Sequence, residues 1–351
     1  MSYSVRVRLR CLSLLVVGLL ASILATSVTG QEEKGKDAKL KDLKWSHAFD
    51  LAARKYKEAD ITDKTQRFGV EAFFDDNTGM GLYISEKGSI SVAPNFKGLA
   101  TPIEKSKRPV HLTGLDLPAR KAGVNEWKGA KAHSMEVFRD PNPDNWLYIT
   151  QDGLLASTDG KLHPGMTTKD PVWIHSIDLQ VRKGGMNDWK DAAKYGIEVY
   201  RDANTGNLIY VTENGYIAVI PETTEVKGKG KAPDWLHGLD LSCRRHDEKS
   251  FTKDTRKFGV EVYHDLTTTN LIFISETGSI TVVPAPAGVK APTTQAREPR
   301  WTHGLNVKCR KYGEEKFTDQ TRAFGAEVFV DDNVGATLYI NELGMISALK
   351  K

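Results

Sequence analysis

Cysteine is scarce, with three residues in a chain of 351. Cys11 falls in the first thirty positions, which leaves Cys243 and Cys309 and excludes the disulfide framework that holds many small secreted domains together. A chain of about 300 residues can bury a core without one. Charge of one sign is lacking as well. The first thirty residues hold Arg6, Arg8 and Arg10 and no acid, so the rest of the chain carries 46 basic against 45 acidic side chains. That balance, with no stripe of Arg or Lys, argues against nucleic acid as a partner. Long hydrophobic runs are missing too. One apolar stretch, Leu12 to Ala25, is too short to cross a bilayer comfortably, and no later segment is apolar for long enough. Nor is there a nucleophile elbow, an HExxH zinc site, a P-loop or a dinucleotide fingerprint, so no cofactor and no metal are expected. The DDNTG and DANTG segments lack the alternating acidic ligands of a calcium loop and read as hairpin turns.

The apolar stretch behind three arginines, followed by small residues up to Gly30, is the pattern of a secretory signal peptide over residues 1–30. Cys11 precedes the apolar run, which argues against a lipoprotein anchor. The expected mature protein is secreted or periplasmic, with no membrane span and a charged linker over 31–44.

What the rest contains is repetition. WSHAFDL begins at Trp45, WIHSIDL at Trp173, WLHGLDL at Trp235 and WTHGLNV at Trp301, with a divergent HLTGLDL at His111. The acidic position of the motif falls at Asp50, Asp116, Asp178 and Asp240, then at Asn306, with spacings of 66, 62, 62 and 66 residues. Each copy continues with an arginine and a second basic residue, an alternating segment such as FGVEVYHD, a turn, a second apolar segment such as LIFISETG, and a short closing strand. Alternation of Phe258, Val260 and Val262 with Gly259, Glu261 and Tyr263 has the period of a strand. The reading is all-β: five tandem four-stranded repeats over 45–94, 110–158, 173–221, 235–284 and 301–351, forming one domain over 45–351. A unit of roughly 50 residues has a marginal core alone, so a five-bladed β-propeller is expected over a string of separate domains.

The run FGVEVYHD, NLIFISET and GSITVVP, residues 258–284, resembles the first three strands of NHL- and YWTD-type propeller blades. That resemblance makes WLHGLDLSCRR an outer strand of the preceding blade. It implies a shared-strand closure, with residues 45–55 pairing near Met345–Leu349. The opposite phase makes each Trp-to-Pro unit one blade. In architecture the chain is also similar to five-bladed lectins of the tachylectin type, without their motifs.

Two columns recur in all five copies: Glu71, Glu136, Glu198, Glu261 and Glu327, and Arg54, Arg120, Arg182, Arg244 and Arg310. The glutamates are candidate ligand-binding residues, as an acidic ring for a cation or sugar hydroxyls. Against this, a buried carboxylate requires a partner, and an arginine of an adjacent strand supplies one. Histidines at 47, 175, 237 and 303 are expected to hydrogen-bond a neighbouring strand rather than a metal. Trp127 and Trp189 invite a sugar-stacking reading, but they share a column with Ile61, Phe251 and Phe317 and are expected as buried loop anchors, and Trp45, Trp173, Trp235 and Trp301 as core between blades. Trp146 breaks a column of Gly81, Leu208, Leu271 and Thr337 and is the candidate exposed binding aromatic. Cys243 and Cys309 share a column with Ala53, Ala119 and Val181, which predicts two free, buried thiols.

These observations point to a non-catalytic, multivalent binding or scaffold protein that recognises a carbohydrate or cell-envelope polymer. The alternatives are a hydrolase or lactonase using a central pocket and a purely structural envelope protein.

Overall fold

The computed structural model describes residues 40–94, 106–159, 169–222, 230–293 and 295–350. The expected signal peptide and residues 31–39 of the expected linker lie outside them.

There are twenty strands in five antiparallel sheets of four, and no helix among the described residues. Blade 1 contains β1 (Lys44–Ala53), β2 (Gln66–Asp75), β3 (Met80–Ser85) and β4 (Ile90–Ala93). Blade 2 contains β5 (Val110–Ala119), β6 (Lys131–Asp140), β7 (Asn145–Thr150) and β8 (Leu155–Asp159). Blade 3 contains β9 (Val172–Val181), β10 (Ala193–Asp202), β11 (Asn207–Thr212) and β12 (Ile217–Pro221). Blade 4 contains β13 (Asp234–Cys243), β14 (Arg256–Asp265), β15 (Asn270–Ser275) and β16 (Ile280–Pro284). Blade 5 contains β17 (Arg300–Cys309), β18 (Arg322–Asp331), β19 (Ala336–Asn341) and β20 (Ile346–Lys350). The last strands β4, β8, β12, β16 and β20 touch one another in a closed cycle, so each blade starts at the rim and ends at the axis of a five-bladed β-propeller. The hairpin between the third and fourth strands needs a positive φ, which Gly88 and Gly278 adopt at 83° and 85°.

The shared-strand closure is not what forms. β1 pairs with β2 from Lys44↔Phe74 to Ala53↔Gln66, and β20 pairs with β19 of its own blade. Consecutive strands have paired as hairpins, so each Trp-to-Pro unit is a complete blade. The ring therefore closes through side chains.

Those side chains are sorted by a bulge. In every blade the register of the first strand slips between the Trp-position residue and the His-position residue, as between Trp45 and His47 or Trp235 and His237. Residues two apart in a strand normally share a face, but one extra residue turns them to opposite faces. Trp45 lies opposite Phe73, whereas His47 lies opposite Ala72. The tryptophan thus joins the glutamate on one face, and the histidine projects from the other toward the next blade. Five hydrophobic clusters, each drawing on neighbouring blades, fill the space between the faces.

Candidate binding sites at the rim and on the axis

Each blade interface carries the same ionic clasp. The arginine after the first strand reaches the glutamate in the second strand of the next blade. Arg120 Nε donates to Glu198 at 2.7 Å, Arg182 Nε to Glu261 at 2.6 Å, Arg244 Nε to Glu327 at 2.6 Å and Arg54 Nε to Glu136 at 2.5 Å. Arg310 Nε donates to Glu71 at 2.6 Å and closes the ring. The partner arginine lies on the adjacent blade rather than on an adjacent strand. The second carboxylate oxygen accepts the indole N–H of its own blade, Trp45 on Glu71, Trp173 on Glu198, Trp235 on Glu261 and Trp301 on Glu327, at 2.6 to 2.7 Å. His111 takes that role at Glu136, at 2.7 Å. All five glutamates are buried, and their oxygens are occupied by protein donors. This geometry joins blades and leaves no open acidic ring facing the axis. The hydrogen bond to Glu198 holds the Arg120 guanidinium firmly in its charged form.

A second set of contacts links neighbouring blades. His47, His175, His237 and His303 place Nε2 at 2.8, 3.2, 2.8 and 3.0 Å from Asp140, Asp265, Asp331 and Asp75, always on the following blade. Tyr83, Tyr148, Tyr210 and Tyr339 donate to Asp140, Asp202, Asp265 and Asp75, and burial pushes each phenol well above its ordinary pKa. Burial raises the Asp75 carboxyl, but hydrogen bonding and charge from His303, with a hydrogen bond from Thr78, outweigh it and hold the group at about 2. Every blade thus has a donor face with its arginine and an acceptor face of Glu and Asp, and the donor face adds a histidine except in blade 2, where Thr113 stands, and a tyrosine except in blade 4, where Phe273 stands. Among the described residues, no three potential ligand side chains gather as a metal site.

The aromatic columns correct two expectations. Trp127, Trp173, Trp189, Trp235, Phe251, Trp301 and Phe317 are between 39% and 46% exposed. The loop aromatics are not buried anchors, and these first-strand tryptophans are not core. The loop residue of one blade packs edge-to-face on the tryptophan of the next: Trp127 on Trp173 at 6.1 Å, Trp189 on Trp235 at 5.9 Å and Phe251 on Trp301 at 5.7 Å. Beneath each pair lies the clasp arginine, with Arg120 4.3 Å from the Trp127 ring centre and Arg182 4.9 Å from that of Trp189. Arg310 sits between Phe317 and Trp45 in the same way. The interface between blades 1 and 2 has Ile61 and His111 in these places and no such aromatic pair. Rim clefts of about 330 and 430 Å³ open beside the clasps of blades 3/4 and 4/5, the first lined by Arg182, Asn187, Trp235, Asp240 and Arg297.

Trp146 is 1% exposed and belongs to the core cluster between blades 2 and 3, so it is not an exposed binding aromatic. Cys243 and Cys309 are free and buried, and burial pushes both thiols up. Cys243 Sγ lies 3.5 Å from the Ile340 carbonyl of blade 5 and Cys309 Sγ 3.3 Å from the Ile84 carbonyl of blade 1, so they point to different interfaces.

On the axis runs a cavity of about 570 Å³, lined mainly by aliphatic and hydroxyl side chains of the five inner strands. Its carboxylates, Asp159 and Glu222, lie at the ends of inner strands, and Glu222 is already held by Arg201 at 2.6 Å.

No family model and no curated protein matches this chain. The solved structures it is similar to include a streptogramin B lyase, at 13% identity over 88% of both chains with a TM-score of 0.11. Another is a catalytically inactive virginiamycin B lyase from Staphylococcus aureus with quinupristin, at 12% identity over 88% of this chain and all of that one, with a TM-score of 0.10. Superpositions that poor carry no argument about activity.

The rim pairs were partly visible beforehand as apolar columns. Their exposure was not, because it depends on the bulge that turns the tryptophan away from its strand's inward face.

Proposed function

We propose that the protein is an exported, non-catalytic, multivalent binding or scaffold protein that holds a glycan or related cell-envelope polymer along its rim. The observation that carries this reading is the repetition of half-exposed aromatic pairs, each fixed over an arginine at a blade interface. Aromatic faces anchored on one side and wet on the other suit the mixed apolar and hydroxyl surface of a sugar. Several copies around one ring gain avidity on a polymer without further contacts. Catalysis has less support. The carboxylates of the clasp are saturated by protein donors, and of the two carboxylates lining the axial cavity Glu222 is already held by Arg201.

A glycan array probed with residues 31–351 tests the proposal. A polymeric glycan should be retained, and Trp189→Ala, which removes one aromatic while leaving the Arg182–Glu261 pair, should weaken binding about tenfold, or roughly 1.4 kcal/mol. Retention of no glycan, or retention unaltered by Trp189→Ala combined with Phe251→Ala, would sink it.

A further inference from the structure

The axial cavity departs from fivefold regularity in a way that the ionic clasps do not. Each inner strand pairs on one side only, so its other edge faces the axis with amides to satisfy. At three of the five steps around the ring the preceding blade supplies a hydroxyl. Ser91 Oγ accepts the Ser157 amide at 2.8 Å, Thr281 Oγ1 accepts the Ala348 amide at 3.0 Å, and Ser347 Oγ accepts the Val92 amide at 2.9 Å. At the other two steps the same position, opposite the third-strand tyrosine, holds Ala156 and Ala218. Alanine offers the equivalent amides, those of Val219 and Val282, no side-chain oxygen. All four residues line the cavity, and Ile217, Ile220 and Ile280 make the wall beside them aliphatic.

We propose that the sector of the channel bounded by β8, β12 and β16 binds a linear aliphatic molecule with acceptor oxygens, a carboxylate or carbonyl group. Those oxygens replace the two missing hydroxyls at Val219 and Val282, and the chain lies against the isoleucines. A buried amide without an acceptor is costly, and an occupant that supplies one recovers that cost. The inference is independent of the rim reading and concerns a different surface.

Calorimetry with decanoate as probe, and decylamine as its donor-headed counterpart, tests it on the purified protein. One decanoate should bind per chain, and decylamine should bind at least tenfold more weakly. The double variant Ala156→Ser/Ala218→Ser fills both gaps with the side chain already present at 91 and 347. It should keep or raise the melting temperature and bind decanoate at least tenfold more weakly. Ala218→Ser alone, which covers only the Val282 amide, should also weaken decanoate binding, by less than the double variant, and it carries the test if the double variant fails to fold. Trp189→Ala should leave decanoate binding unchanged. No binding by the unaltered protein (a channel filled by water alone), equal binding by the double variant, unaltered binding by Ala218→Ser, or equally tight decylamine overturns the proposal.

Discussion

At the scale of single residues, His133 shows what the repeat tolerates. It occupies the place that Phe68, Tyr195, Phe258 and Phe324 fill in the other blades, buried beneath the Gly215 turn of blade 3. Burial disfavours its charged form and moves its pKa below the ordinary 6.5. The unfolded chain therefore takes up a proton near pH 6.5 that the folded protein resists, and stability falls as the pH drops through that value. In His133→Phe this loss disappears. The melting temperature of the variant should exceed that of the parent by more at pH 5 than at pH 7.5, and an equal gap at both values would show that His133 does not titrate as described. Columns such as this one were readable from sequence because five copies supply their own comparison. Trp146 marks the limit of that comparison. A large side chain in a column of small and apolar ones can mean an exposed aromatic or a differently packed interior, and the alignment of copies does not separate the two. Pairing across strands separates them: Trp146 lies between Arg139 of β6 and Thr158 of β8, with its ring in the core between blades 2 and 3.

At the scale of elements, the interface between blades depends on how closely two backbones approach. Gly259 faces the carbonyl of Arg182, and a Cβ there would lie 2.0 Å from that oxygen. Gly69, Gly196 and Gly325 stand equally close to Arg310, Arg120 and Arg244. Blade 2 has Ser134 in this column. Replacing Gly259 by Ala forces the loop bearing Arg182 away from Glu261 and should cost about 3 kcal/mol in denaturant unfolding, the upper end of ordinary overpacking. Ser134→Gly, at the interface already built around a side chain, should cost under about 1 kcal/mol through backbone entropy alone. A Gly259→Ala protein within about 0.5 kcal/mol of the parent would mean that the blades are not held at this distance. The strands themselves were legible from alternation and from the glycine turns. The bulge was not, since a one-residue slip leaves no mark on a pattern of period two when the extra residue is itself Ser, Leu, Ile or Thr. That slip decides which face the first-strand tryptophans take, so their pairing with the loop aromatics could not be read from sequence.

At the scale of the whole molecule, every interface joins the donor face of one blade to the acceptor face of the next. Such a head-to-tail contact either propagates or closes, and here it closes after five. The number of blades could be counted in the sequence. The mode of closure could not, because identical hairpin strands carry no sign of where a blade begins, and only the pairing of β1 with β2 fixes it. With no strand shared across the gap, Arg310–Glu71, His303–Asp75 and Tyr339–Asp75 must hold blade 5 to blade 1 as their counterparts hold the interior interfaces. Two variants compare the closing contact with an interior one. Arg182→Ala strands Glu261 between blades 3 and 4, and Arg310→Ala strands Glu71 between blades 5 and 1. Both carboxylates are 1% exposed, and removing the partner of a buried charge costs about 3–5 kcal/mol. The two losses, measured by denaturant unfolding, should agree within about 1 kcal/mol, since each removes the same group from the same surroundings. A closing interface that merely touched would yield at Arg310→Ala with little loss while Arg182→Ala remained severe, and that inequality would show an open ring.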